Sequence, residues 1–192
     1  RTCAEPISGR YPIVEGLNAV LWLGLVWWAW GPDGVDPLLP WLMVLGSAGL
    51  ALWFIDIDHH RLPDAIVLPL YPIGLAGLVL AGVVSARWPL TEVAIGVGAW
   101  LVVIGGIWLF TGGRAMGFGD VKLAPVLAAT LAWVGVSSAL VGLLAAFVLG
   151  GVAGLVLMLS GRARRGSHMA FGPFLLLGAL VGLFWGEALG SA

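Results

Sequence analysis

Charged residues are so sparse along this chain that they divide it into long uncharged runs, at 16–32, 37–55, 65–86, 93–113, 123–161 and 166–186. An α-helix rises about 1.5 Å per residue and the hydrocarbon core of a bilayer is about 30 Å thick, so about 20 residues suffice to cross it. All but one of the runs fit a single crossing. The run 123–161 is about twice too long, and it is expected to break near Gly135–Ser138, where a glycine and two serines weaken a helix. The pattern predicts an all-α fold, a polytopic transmembrane helical bundle of about seven spans. Turns between the runs are short and rich in breakers: Gly31-Pro32-Asp33-Gly34, Arg87-Trp88-Pro89 and Gly112-Gly113. No long polar linker interrupts them, so one membrane domain is expected over residues 17–190.

Composition supports the same class. The chain is 60% hydrophobic and only 10% charged, with a mean hydropathy of +1.05, whereas soluble domains carry about 25% charged residues. A net charge of −1 gives no electrostatic case for nucleic acid. The single cysteine excludes a disulfide framework and a cysteine-only metal site.

Seven spans place Arg1, Arg10, Arg61, Arg114, Lys122, Arg162, Arg164 and Arg165 on one side of the membrane and Arg87 alone on the other. Basic residues mark cytoplasmic loops, so the first side faces the cytoplasm. Trp27, Trp28, Trp30, Trp41, Trp88 and Trp185 then gather near the outer ends, as an interfacial aromatic belt. Gly178, Gly182, Gly186 and Gly190 recur every four residues and make a smooth stripe on the last helix; Gly150 and Gly154 make a shorter one. Such stripes let helix backbones approach closely in lipid, here for packing inside the bundle.

Ionisable groups at membrane depth are costly and point to function. Asp56 closes a long apolar run ending Leu52-Trp53-Phe54-Ile55, and Asp120 opens the fifth helix within Gly117-Phe118-Gly119-Asp120-Val121-Lys122. Two spans separate them, so both carboxyls lie near the cytoplasmic face. Two carboxyls that meet in a poorly solvated site cannot both ionise cheaply, so one keeps its proton. Such a pair can activate water and polarise a carbonyl, which is the chemistry of an aspartic protease. Two other readings stay open at this point. Asp120 could cap the fifth helix and Asp64 the third, or the carboxylates could serve a proton- or ion-coupled transporter. Gly117 and Gly119 favour a site, because they permit unusual dihedrals and close approach of a substrate strand.

With these residues in view, the sequence resembles the bacterial type IV prepilin peptidase family, the GxGD-type intramembrane aspartic proteases. Three segments carry the resemblance: Asp56 followed seven residues later by Pro63 of Leu62-Pro63-Asp64, the Gly117-Phe118-Gly119-Asp120-Val121-Lys122 segment, and Phe171-Gly172-Pro173-Phe174 at the start of the last helix. They run in order from the second span to the seventh. The resemblance implies a peptidase of the bacterial cytoplasmic membrane that removes leader peptides from type IV prepilins or pseudopilins at the cytoplasmic face. It assigns the catalytic roles to Asp56 and Asp120, with Asp58 as competitor for the first, and makes Gly117, Gly119, Lys122, Asp64 and Pro173 supporting or substrate-binding residues. Proteolysis requires no cofactor. Family members often also methylate the new N-terminus with S-adenosylmethionine and carry a cytoplasmic zinc-binding segment with paired cysteines. Residues 1–16 resemble only the tail of that segment, with Cys3 matching its last cysteine. Zinc and S-adenosylmethionine are therefore tied to a missing N-terminal part, and methylation is not read into this chain. The oligomeric state is left open.

The remaining polar residues have simpler readings. His59 and His60 point about 100° apart on a helix, poor geometry for one metal ion. Lys122 either acts on Asp120 or on a substrate carbonyl, or reaches for the interface as an ordinary amphipathic cation. Arg162, Arg164 and Arg165 read as topology determinants, and Gly166-Ser167-His168-Met169 reads as native sequence.

Overall fold

The computed structural model describes residues 9–32, 34–160 and 170–190. Within them the chain forms α1 (Arg10–Ala29), a minimal antiparallel hairpin of β1 (Trp30–Gly31) and β2 (Gly34–Val35), α2 (Leu39–His59) and α3 (Asp64–Ser85). Then follow α4 (Leu90–Thr111), α5 (Phe118–Val134), α6 (Val136–Leu159) and α7 (Gly172–Gly190). The seven helices among the described residues form the polytopic bundle that the hydrophobic pattern predicts. Helix α1 starts at Arg10, earlier than the uncharged run suggests, because Glu15 lies on an exposed face and does not interrupt it.

Six of the helices are long and apolar enough to cross a membrane. The exception, α5, has 17 residues and is therefore about 25 Å long. It is also the most enclosed helix, packed among α3, α4, α6 and α7. Its apolar residues run all round it, as a central helix requires. Ala128 and Ala132 leave room for neighbours: a side chain at Gly96 of α4 would collide with Ala132.

The long run 123–161 does break where expected. Gly135 is extended (φ −178°, ψ 155°) and separates α5 from α6, while its N–H still donates to Leu131 O at 3.0 Å. The returning helix α6 packs along α7 through the glycine stripe. A methyl group at Gly178 would collide with Gly142 and Ala146, one at Gly182 with Ser138 and Gly142, and one at Gly186 with Ser138. Packing this close leaves no gap for lipid, so the stripe serves the interior of the bundle. Gly186→Leu is expected to destabilise the protein by about 3 kcal/mol or more through overpacking. Gly151→Leu, on open surface, should leave Tm unchanged in the same detergent melt.

The tryptophan belt needs one correction. Trp27, Trp30, Trp88 and Trp185 are exposed, but Trp41 is buried. Its ring lies under Gly74 and Gly77 of α3, and its Nε1 donates to Thr130 Oγ1 at 2.9 Å. A helix-end position does not decide belt against core; the two glycines of α3 admit the ring to the interior.

Candidate active site

Asp56 reaches the interior by helical periodicity. Leu42, Leu45, Gly49, Leu52 and Asp56 are all buried on α2, spaced three and four residues apart. The carboxyl thus continues an apolar stripe. Asp58, about 200° further round, is on the exposed side, where both its oxygens accept hydrogen bonds from Arg10, at 2.7 and 2.8 Å. The helix ends at His60, a left-handed residue (φ 51°) whose N–H donates to Asp56 O at 2.8 Å.

Asp120 is placed by the start of α5. Gly117 caps the helix in ordinary extended backbone (φ −73°, ψ 151°), so the unusual dihedral expected of it is absent. Two reciprocal bonds close the first turn: Asp120 N donates to Gly117 O at 3.2 Å, and Gly117 N donates to Asp120 Oδ2 at 3.1 Å. The carboxyl is therefore held by a helix terminus without being an N-cap itself. Gly119 does need its lack of a side chain, since a Cβ there would stand 2.9 Å from Leu62 Cβ.

The two carboxyls come to one place. Both are buried, at 4% and 5% exposure, and both line a cavity of about 480 Å³ at the end of the bundle that carries Arg61 and Lys122. The start of α7 completes the arrangement: Gly172 N donates to Asp56 Oδ2 at 3.1 Å. Each carboxyl is thus held by one backbone N–H on Oδ2. Neither Oδ1 has a protein partner among the described residues, and neither is sealed from the cavity, unlike the buried unpartnered oxygens of Asn18 and Ser138.

Sequence reasoning picked Pro173 in this segment and missed Gly172. Pro173 sits in the first turn of α7, where the absent N–H removes no hydrogen bond. Gly172 supplies the bond to Asp56, and a Cβ on it would stand 2.7 Å from Asp56 Oδ2. A signal was available, because the first N–H groups of any helix lack intrahelical partners and attract an acceptor.

Lys122 and Asp64 find each other. Lys122 Nζ donates to both Asp64 oxygens, at 2.7 and 2.8 Å, and lies 4.8 Å from the centroid of the Phe118 ring. Asp64 is the first residue of α3 and makes no capping bond; the expected cap is instead an ion-pair partner, because Lys122 offers both oxygens a full positive charge. His60 and Arg61 line the cavity, while His59 is exposed. Cys3, Arg162, Arg164, Arg165 and the segment 166–169 lie outside the described residues.

A profile of the Type IV leader peptidase family matches residues 43–159, a stretch that contains both Asp56 and Asp120. This chain belongs to the Type IV leader peptidase family. Its relatives include proteins named prepilin leader peptidase/N-methyltransferase from Aeromonas hydrophila, 36% identical over 98% of this chain and 63% of the relative. Those from Stutzerimonas stutzeri, 36% identical over 97% and 62%, and Pseudomonas aeruginosa, 33% identical over 98% and 62%, carry the same name. The chain therefore spans about 62–63% of the length of these curated relatives. No solved structure matches it. A zinc site finds no fit among the described residues of this family member, where no three His, Cys, Asp or Glu side chains come together. Proteolysis by the family calls for no metal or organic cofactor.

Proposed function

We propose that this chain is a membrane-embedded aspartic endopeptidase that removes leader peptides from type IV prepilins or pseudopilins, with Asp56 and Asp120 as its catalytic pair. One observation carries the reading. Two buried carboxyls, from helices far apart in sequence, line one cavity at the basic end of the bundle, each fixed through Oδ2 and open at Oδ1. The basic end faces the cytoplasm by the distribution of Arg10, Arg61, Arg114 and Lys122 against Arg87.

In the proposed reaction the ionised member of the pair takes a proton from water, and the protonated member gives its proton to the scissile carbonyl oxygen. The water oxygen bonds to the carbonyl carbon and yields a tetrahedral diol. Proton transfer from the carboxyl that accepted the water proton to the amide nitrogen then breaks the C–N bond. The carbonyl re-forms as the second hydroxyl returns its proton to the pair, which restores the starting state. A helical substrate hides its carbonyls in hydrogen bonds, so the leader junction must unwind before it enters the cavity. No methyl-transfer step is assigned to these residues.

An ion-coupled transporter is disfavoured by position. It calls for carboxylates along a path through the membrane, whereas Asp56 lies in the last turn of α2 and Asp120 in the first turn of α5. The direct test is incubation of the purified chain, in liposomes, with a panel of prepilins, followed by mass spectrometry of the products. Release of an intact leader at the junction with the mature helix is expected. A panel left uncut by folded protein would sink the assignment.

A further inference from the structure

The helices that carry the two carboxyls share α3 and α7 as neighbours: α2 packs against α1, α3 and α7, and α5 against α3, α4, α6 and α7. The α7 side contributes the Gly172 bond to Asp56. On the α3 side, ties converge on residues 119–122. Leu62, in the connection from α2 to α3, rests on Gly119. Lys122 Nζ spans both oxygens of Asp64 at 2.7 and 2.8 Å, and Tyr71 Oη donates to Lys122 O at 2.6 Å.

We infer that the Asp64–Lys122 ion pair is a positioning device: it clamps the connection that follows Asp56 onto the first turn of α5, and so sets the approach of Asp120 to Asp56. The inference rests on the peptidase reading of the same site. The lysine is only two residues from Asp120, yet its ammonium is engaged by Asp64 and by the Phe118 face. Contact with both carboxylate oxygens narrows the orientations the pair can take. Asp64 is half exposed, at 55%, and Lys122 is 26% exposed. Pairs this open to solvent add little to stability. The effect of the clamp is therefore geometric, and a shift of about 1 Å between reacting groups costs about 10²-fold in rate. The ties from Leu62 and Tyr71 remain when the ion pair is cut, so a partial loss follows rather than collapse.

The test combines kinetics with a distance readout. Lys122→Met and Asp64→Asn should each lower kcat about tenfold with KM within about twofold, and the double variant should be no slower than the slower single one. The charge exchange Asp64→Lys with Lys122→Asp should return kcat to within about threefold of the unaltered chain. A fall in Tm with kcat unchanged means a merely structural pair, and a rise in KM alone means a substrate contact; either result overturns the inference, as does failure of the exchange to improve on the singles. Independently, the pair Asp56→Cys and Asp120→Cys in a Cys3→Ser background can be bridged with a short bifunctional thiol reagent. Adding Lys122→Met should cut the bridged fraction by about half or more, in line with a looser approach; an unchanged fraction overturns the clamp. If the unaltered chain cleaves no prepilin, the peptidase reading fails while the bridging yield still decides the positioning.

Discussion

Asp56→Asn and Asp120→Asn are each expected to abolish leader removal, with a rate loss of about 10³-fold or more, since general acid–base groups contribute about 10²–10⁴-fold. Asparagine keeps the shape of the side chain and an acceptor oxygen. The bonds from Gly172 N to position 56 and from Gly117 N to position 120 can therefore persist. What is lost is the ability to take up and return a proton, so Tm should stay near that of the parent while cleavage disappears. Asp58→Asn is the matched control. That side chain is exposed and held by Arg10 on the far side of α2, so its loss should change the rate by no more than about threefold, as is usual for exposed ion pairs. Time courses of prepilin cleavage by the three purified variants decide the matter. An active Asp56→Asn beside an inactive Asp58→Asn would transfer the first catalytic role to Asp58.

The second large effect is expected at a residue with no functional side chain. A Cβ on Gly172 would stand 2.7 Å from Asp56 Oδ2 and 3.3 Å from Leu62 Cδ2. Neither neighbour can yield freely, because Asp56 sits on the buried stripe of α2 and Leu62 is wedged on Gly119. Gly172→Ala should therefore push the carboxyl away from its N–H donor and lower kcat by about 10²-fold, the usual cost of misplacing a catalytic group by about 1 Å. Gly117→Ala provides the contrast. Its Cβ would meet Asp120 Oδ2 at an ordinary 3.5 Å, on a backbone that any residue adopts. The N–H that holds Asp120 would survive, and the loss should stay below about tenfold. Single-turnover cleavage by the two alanine variants measures the ranking, and the reverse order would show that the GxGD turn, rather than the start of α7, governs the pair.

Several features of the site were legible from residue order because they depend on local repetition. Asp56 falls on the same buried face as Leu45, Gly49 and Leu52, and Asp58 does not; the 100° step of the helix says that the two cannot share a face, while the preference for Asp56 came from its spacing to Pro63 in the family resemblance. The break at Gly135 and the four-residue glycine stripe on α7 are likewise local patterns with local consequences. Gly117 shows the limit of such reasoning. A glycine signals that backbone freedom or close approach is possible, but not which one is used. At 117 the structure uses neither, whereas at 119 it uses close approach to Leu62. Trp41 failed for a similar reason, since its burial depends on Gly74 and Gly77 of another helix.

By itself, the order of residues determined the membrane class and the seven helices, six of them long and apolar enough to cross a membrane, and it led to the expectation of one basic side and of two carboxyls at one depth. These follow from hydrophobic run length, helical period and charge distribution, which are properties of neighbouring residues. Only the tertiary structure decided that Gly172, 116 residues from Asp56, orients it, and that Lys122, 58 residues from Asp64, binds that residue in place of Asp120. Contacts of this kind arise from which helix faces meet, and many pairings are compatible with equally apolar helices. Once the bundle had packed, the few polar groups at its inner rim took the partners within reach, because an unpaired polar group near lipid is costly.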